Sequence, residues 1–372
     1  MTPSSDVYAH RAEGAGIGVE RQTVSRRAIL RKALALSGCS LLAPVLAAAA
    51  YAQDAGSGPA TAALPVRTGP RPGAWVVLLG TRGGPGLEVN RAQTASAVVV
   101  DGQPYLIDCG YGALRQMVAS NMGYLQTSTI FFTHLHDDHT GDLAALLSYQ
   151  WTNGKTSATD AYGPYGTARM VAAAVDFFRA NVEIRTADEG RTVDVDKQFH
   201  GHDVAAADAP VPMFRDERVN VTGIENTHYP ARSKANMPHR SLALRVDTKE
   251  RSIVFAGDTA YSSNVVKLAR GADLFVCEVV DPTVLQQAQE RAKEAAAAGN
   301  PNNIFRHVAD THCSPQDVAR MAAEASVKTV VLNHQVAAPS QGTIAYPATA
   351  FIQGMRPTFG GEVIVGQDLM VL

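Results

Sequence analysis

From Trp75 to the end of the chain, short apolar runs recur, and each is closed by polar residues. Trp75-Val76-Val77-Leu78-Leu79, Tyr105-Leu106-Ile107, Thr129-Ile130-Phe131-Phe132, Ser252-Ile253-Val254-Phe255, Leu274-Phe275-Val276-Cys277 and Val330-Val331-Leu332 have the length and β-branched or aromatic content of buried strands. Helix-forming stretches lie between them. One starts at Gly141 with Leu143, Leu146 and Leu147. A second spans 168–180, after the turn Tyr162-Gly163-Pro164-Tyr165-Gly166-Thr167. A third, 283–295, is rich in Ala, Gln, Glu and Lys, breaks at Gly299-Asn300-Pro301-Asn302-Asn303, and belongs to a segment 282–310 expected to lie over the active site as a lid. Ile304, Phe305 and Tyr261 are expected either to wall an apolar pocket there or simply to pack against the fold. This alternation fits an α/β protein with two sheets packed face to face and helices outside, a four-layer αββα sandwich.

Ahead of the first strand the pattern changes. Residues 53–73 are rich in Gly, Ala, Pro and Thr and read as a flexible linker. Before them, Thr23-Val24-Ser25-Arg26-Arg27-Ala28-Ile29-Leu30-Arg31 resembles a twin-arginine export signal, followed by an apolar run over 33–50 and the small-x-small site Ala50-Tyr51-Ala52. The expectation is a signal over 1–52, use of the twin-arginine export machinery, and a periplasmic or secreted protein. Ser37, Gly38, Ser40 and Pro44 interrupt the apolar run, which argues against a stable membrane span. Leu36-Ser37-Gly38-Cys39 also fits a lipoprotein cleavage box, so anchoring through Cys39 stays open beside the soluble form.

Removing 1–52 takes away six of 33 Lys/Arg and three of 35 Asp/Glu, leaving 27 basic and 32 acidic residues and a net charge of −5. That is not the footprint of a nucleic-acid binder, and no nucleic-acid partner is expected. The remaining Cys109, Cys277 and Cys313 are odd in number, which argues against a disulfide framework and for buried small residues. The pattern does not decide the oligomeric state.

The chemistry is concentrated in Thr133-His134-Leu135-His136-Asp137-Asp138-His139-Thr140-Gly141, on a strand-to-helix turn, where five of nine residues are His or Asp. In an extended segment His134 and His136 face one way, while Asp138 and His139 face a second point close by. This suits two metal ions. The segment resembles the H-x-H-x-D-H signature of the metallo-β-lactamase superfamily. Further pieces follow in the family's order, each after an apolar run: Asn226-Thr227-His228-Tyr229, Phe255-Ala256-Gly257-Asp258-Thr259 and Leu332-Asn333-His334. Upstream, Ile107-Asp108-Cys109-Gly110 resembles the first motif, whose aspartate steadies the ligand loop.

The resemblance covers about Trp75 to Leu372 and implies the metallo-β-lactamase sandwich as a single domain, 74–372. It implies that His134, His136 and His228 hold one zinc ion and Asp138, His139 and His334 a second, with Asp258 bridging them; iron or manganese also accept such ligands. Two metals roughly 3.5–4 Å apart lower the pKa of a shared water towards neutrality, giving a hydroxide that attacks the substrate. Asp138 is the candidate to take that water's proton.

Thr311-His312-Cys313-Ser314-Pro315 resembles the ribonuclease Z-like branch, in which a histidine before a helix assists the leaving group and an acidic residue after the preceding strand, here Glu278, accompanies it. His312 and Glu278 are thus candidate catalytic residues, an oriented general acid. Otherwise His312 caps the helix and Glu278 is a solvated strand end. His200 and His202 have an i, i+2 spacing that could bind a metal but no third ligand nearby, and read as ordinary histidines; His239 and His307 belong to loops expected to border the cleft, where substrate contact stays open beside the ordinary reading. Gly80-Thr81-Arg82-Gly83-Gly84-Pro85-Gly86 reads as a tight loop along one edge of the site, not a phosphate-binding P-loop, with Arg82 and Arg91 either meeting an anion or lying at the surface. The branch also includes exported arylsulfatase-like enzymes. The expected activity is therefore hydrolysis of a small-molecule sulfate ester or phosphodiester. A lactonase or carboxylic esterase is the alternative on the same fold, and a non-catalytic metal-binding module the alternative of another class.

Overall fold

The computed structural model describes residues 73–337 and 348–372. The expected export signal and Cys39, and the linker up to Pro72, lie outside the described residues. Among the described residues no helix is long and apolar enough to cross a membrane.

Among the described residues, fourteen strands form two seven-stranded sheets. The first is built from β1 (Ala74–Gly80), β2 (Ala95–Val100), β3 (Gln103–Ile107), β4 (Thr129–Phe131), β5 (Thr159–Gly163) and β6 (Phe199–Asp203). The second takes β7 (Val211–Arg215), β8 (Asn220–Glu225), β9 (Leu242–Asp247), β10 (Ser252–Phe255), β11 (Leu274–Val280), β12 (Thr329–Val336) and β13 (Glu362–Val365), and β14 (Met370–Val371) returns to the edge of the first beside β1. In each sheet an antiparallel half passes into a parallel half: β3 to β6 are parallel in one, β10 to β13 in the other.

Three apolar clusters define the layers. The faces of the two sheets meet through Val76, Leu78, Val98, Tyr105, Ile107 and Phe131 on one side and Val221, Leu244, Ile253, Phe255, Val276 and Val331 on the other. The outer face of the first sheet packs Leu106, Ile130 and Phe132 under Leu143, Leu146, Leu147 and Trp151 of the helix Leu143–Thr152 and Val171 of the helix Thr167–Phe177. The outer face of the second packs Val254, Phe275 and Val330 under the helices Ser263–Ala269, Pro315–Ala325 and Ala348–Met355. Strands buried on both faces explain why they read as continuous apolar runs rather than alternating ones. The result is the α/β four-layer αββα sandwich.

The segment 282–310 forms a helical hairpin. Asp281 caps the helix Pro282–Ala297, accepting from the Thr283 and Val284 amides, and Asn303 caps Ile304–Thr311, accepting from the Arg306 amide. Gly299 adopts φ 85° in the turn between them, a conformation costly for other residues.

Candidate metal centre

β3, β4, β8, β10 and β12 deliver the candidate ligands and their supporting aspartate at or just beyond their carboxyl ends. That edge is where open α/β sheets place their sites. Asp108 follows β3, His134 and His136 follow β4, His228 follows β8, Asp258 follows β10, and His334 lies near the carboxyl end of β12. His334 owes its position to an irregularity in pairing: Glu278 lies opposite Asn333 while Val279 lies opposite Gln335, so His334 is the extra residue of a bulge. Its φ of 37° marks the strain, and the bulge turns its ring into the site.

Two of the resulting clusters carry these ligands. His134, His136 and His228 present ligand atoms within 4.8 Å of one another, as do Asp138, His139, Asp258 and His334. His134 Nε2 lies 3.1 Å from His136 Nδ1, and His228 Nε2 lies 3.2 Å from the same atom. The Asp258 carboxylate stands between the clusters. Its Oδ2 is 3.8 Å from His134 Nε2, 4.0 Å from His228 Nε2 and 3.0 Å from His334 Nε2, and its Oδ1 is 3.3 Å from His139 Nε2. All seven residues singled out in the sequence as ligands are therefore brought together.

Whether these residues fit a metal is tested by their unmet polar atoms. His139 Nε2 and Asp258 Oδ1 are buried without a hydrogen-bond partner, an arrangement that is costly unless something else completes it. Imidazole and carboxylate around the gap are the donor set of zinc, iron or manganese. Electrostatics agree. Burial opposes the charged form of His139, yet Asp258, Asp138 and Asp108 outweigh it and hold its pKa well above the usual histidine value. Burial likewise opposes ionised Asp258, but His334 and His139 bring its pKa well below the ordinary carboxylate value. Burial and neighbouring imidazoles keep His134 and His228 well below the usual histidine range. The carboxylates thus stay charged and part of the histidine set stays neutral, as ligands must be.

Surrounding groups orient the ligands. Asp108, itself at φ 57°, accepts from the Thr133 amide (2.8 Å), the Thr133 hydroxyl (2.9 Å) and Nδ1 of His139 (2.8 Å). His139 therefore turns Nε2 inward. The Gly-rich loop folds against the second cluster: the Gly84 amide donates to Asp138 Oδ2 at 2.7 Å, and a Cβ on Gly83 would come 2.7 Å from the His334 ring. Neither expectation for the two arginines beside this loop holds. Arg82 and Arg91 are each only 6 % exposed. Arg82 Nη1 donates to the Gly83 and Gln335 carbonyls and its Nε pairs with Glu88 at 2.7 Å; Arg91 donates to the Thr81 hydroxyl. They brace the loop from beneath.

Next to the clusters Glu278 and His312 form a buried dyad, Oε2 to Nδ1 2.6 Å. Glu278 is 2 % exposed and its other oxygen accepts from the Thr259 amide. The solvated strand end is thereby excluded for Glu278. Ser314, not His312, caps the following helix, in a capping box with Asp317. Burial, then the nearby Asp258, raise the Glu278 pKa well above the usual carboxylate value; burial brings His312 down to about 4.

A cleft of about 240 Å³ runs past Asp138, Asp258, His312 and His334. Its far wall is the helix Ile304–Thr311, whose Ile304, His307 and Val308 share one face at the i, i+3, i+4 spacing. His307, read from the sequence as a loop histidine, is helical and sits with its ring 4.9 Å from that of His228 and 5.3 Å from that of His312. The amphipathic i, i+3, i+4 pattern was the available signal. Of the three expected wall residues only Ile304 lines the cleft; Phe305 lies under Arg291, and Tyr261 lies against Arg320 and bonds to Glu324. His200 and His202 flank Asp160 on β5, and His239 Nδ1 faces the Tyr165 carbonyl. None of these three joins the clusters. Cys109, Cys277 and Cys313 are buried and unpaired in disulfides.

Comparison with known proteins agrees with this geometry. A model described as "Beta-lactamase superfamily domain" matches residues 104–335. Ribonuclease Z of Mycobacterium avium is 31 % identical over 302 residues, 79 % of this chain and 96 % of that protein. Among solved structures, the metallo-beta-lactamase fold protein YhfI of Bacillus subtilis superposes with a TM-score of 0.55 at 16 % identity, over 80 % of this chain and 99 % of its own. The short form of human tRNase Z gives a TM-score of 0.53 at 22 % identity, over 80 % and 98 %. Shared sequence, shared fold and a His/Asp cluster at the strand ends together make this chain a member of the metallo-beta-lactamase superfamily of hydrolases, with ribonuclease Z proteins among its relatives.

Proposed function

We propose that the protein is a metal-dependent phosphodiesterase that acts on a small phosphodiester. The observation that carries this reading is the Glu278–His312 pair, 2.6 Å apart and buried beside both ligand clusters. A metal-holding scaffold has no use for a proton donor in that place. His134, His136 and His228 would hold one cation and Asp138, His139 and His334 the other, with Asp258 between; zinc is proposed, iron or manganese being the alternatives. When bound, such ions supply a nucleophilic water at neutral pH and neutralise charge on the reacting group.

The residues of the chain do the rest. Asp138 takes the proton of the attacking water. Glu278 fixes the His312 ring through Nδ1, so that Nε2 faces the cleft and gives its proton to the departing oxygen. Ile304, Val308, Pro85 and Val336 line the cleft and exclude water around the leaving group. A phosphodiester is placed ahead of a sulfate ester because the relatives are named ribonucleases, and RNA is itself a phosphodiester. Those same names favour RNA as a second reading; the net charge of −5 after residue 52 and the small cleft weigh towards a small substrate.

The test is a comparison of kcat/KM for the zinc-loaded protein on a bis-aryl phosphate, an aryl sulfate with the same leaving group, and a hairpin RNA with a 3′ extension. Preference for the bis-aryl phosphate supports the proposal; preference for the sulfate or for the RNA replaces it. Export remains part of the proposal, on the strength of Arg26-Arg27. Changing both to Lys should hold the protein inside a bacterial cell while leaving its fold intact.

A further inference from the structure

His307 lines the cleft, yet the reaction just described has no task for it, and its surroundings assign it one. The Thr311 hydroxyl lies 2.7 Å from the His307 carbonyl and 3.3 Å from His307 Nδ1. A hydroxyl has a single proton, and the shorter contact to the carbonyl uses it. We assign the ring proton to Nδ1, which then donates to the Thr311 oxygen. Nε2, at the opposite end of the ring, is left with a lone pair. Among the described residues no hydrogen-bond partner meets it. The ring is half-buried, held on the wall by the i, i+3, i+4 face it shares with Ile304 and Val308, and a ligand-capable nitrogen of His307 lies within 4.8 Å of those of His228 and His312. The helix that carries it is fastened from outside: Asp310 Oδ2 pairs with Arg232 at 3.0 Å and with Arg306 at 3.1 Å.

We infer that His307 is a specificity-determining residue, whose Nε2 accepts a hydrogen bond from a substrate hydroxyl vicinal to the departing oxygen. The location follows from His312: the group that protonates the departing oxygen and the group that reads the neighbouring hydroxyl stand with rings 5.3 Å apart on one wall. The substrate class follows as well. A leaving group with a hydroxyl beside the released oxygen is a diol, the chemistry of a ribose with a 2′-hydroxyl beside its 3′-oxygen. A site that presents only an acceptor leaves that acceptor unpaired when the hydroxyl is missing, which is how polar sites reject close analogues. This inference rests on the phosphodiester reading above.

The experiment uses the full zinc-loaded chain and two dinucleotides, uridylyl-(3′→5′)-uridine and its 2′-deoxy counterpart. Release of the nucleoside with a free 3′-hydroxyl is followed by chromatography, and zinc content is measured in parallel. The wild type should favour the ribonucleotide by roughly tenfold, the effect of one hydrogen bond. In His307→Phe that ratio should fall towards one with zinc content unchanged, and His307→Gln, whose side-chain oxygen also accepts, should recover part of it. A wild type that cleaves both dinucleotides equally, or a ratio that persists in His307→Phe, overturns the inference while leaving the phosphodiester reading intact. A loss of zinc in His307→Phe overturns it too, making the residue a ligand. Cleavage of neither dinucleotide nor the bis-aryl phosphate sinks the phosphodiester reading and takes this inference with it.

Discussion

Asp108 Oδ2 lies 2.8 Å from Nδ1 of His139, and the same carboxylate holds the Thr133 amide and hydroxyl. One buried side chain after β3 therefore sets both the tautomer of a ligand and the path of the loop that carries His134 and His136. Groups of this kind typically affect metal affinity by about 10–100-fold. Asp108→Asn should retain the fold but lower zinc affinity by that order, because an amide cannot accept from Nδ1–H and the Thr133 amide with the same strength. Competition with a chromophoric chelator measures it; affinity equal to wild type would remove Asp108 from the site.

The Glu278–His312 pair separates chemistry from metal binding. His312→Ala removes the proton donor, and Glu278→Gln removes the carboxyl that positions the His312 ring. Both should lower kcat by roughly 10²–10⁴, the usual range for a positioned general acid, while zinc content stays at the wild-type value. A milder loss is expected with a substrate whose leaving group is a good one, such as a nitrophenolate, because it needs no protonation. Equal losses on good and poor leaving groups would show that the dyad only supports the fold.

Gly84 is fixed by contact rather than by conformation. Its amide donates to Asp138, and a Cβ there would stand 2.3 Å from the Asp138 carboxyl carbon. Gly84→Ala should push Asp138 out of line with His334, from which its Oδ2 is 3.0 Å away. Gly360, by contrast, has nothing within 4 Å of an added Cβ, and Gly360→Ala is the control. The prediction is a loss of about one metal equivalent, with activity, in the first variant and neither in the second. Metal analysis after gel filtration reads both.

Much of this site was legible because its ligands are bound to local context. His134 to His139 form one turn, and His228, Asp258 and His334 each follow an apolar run, so the resemblance to the family's motifs could collect them. The dyad was half legible: a histidine before a helix is a local feature, whereas the burial of Glu278 depends on β11 lying between β10 and β12. His307 was legible as a histidine near the cleft, but its place in a helix facing His228 and His312 comes from the packing of a helical hairpin across the cleft, a tertiary relation that sequence spacing does not fix. Arg82 and Arg91 were misread for a related reason. The loop lies along one edge of the site, against Asp138 and His334, as its sequence suggested, but the two guanidiniums are buried and bond to the Gly83 and Gln335 carbonyls and the Thr81 hydroxyl.

The last expectation concerns what happens without metal. Asp138, Asp258 and Glu278 are each at most 5 % exposed and share a small volume with five histidines of the clusters. A buried carboxylate is tolerated only when charge or hydrogen bonds compensate it. With the cations removed, compensation falls to protons, chiefly on His139 and His334, whose pKa values the carboxylates raise against the effect of burial, His334 to about 10. Cations must displace those protons, so zinc affinity should fall as pH is lowered. Zinc should also stabilise the native state by mass action, about 2.7 kcal/mol at a free concentration 100 times Kd. Thermal unfolding followed at several free zinc concentrations should show Tm rising with zinc at pH 7.5, and rising less at pH 5.5. A Tm independent of zinc at both values would mean that the two clusters hold no ion in the folded protein.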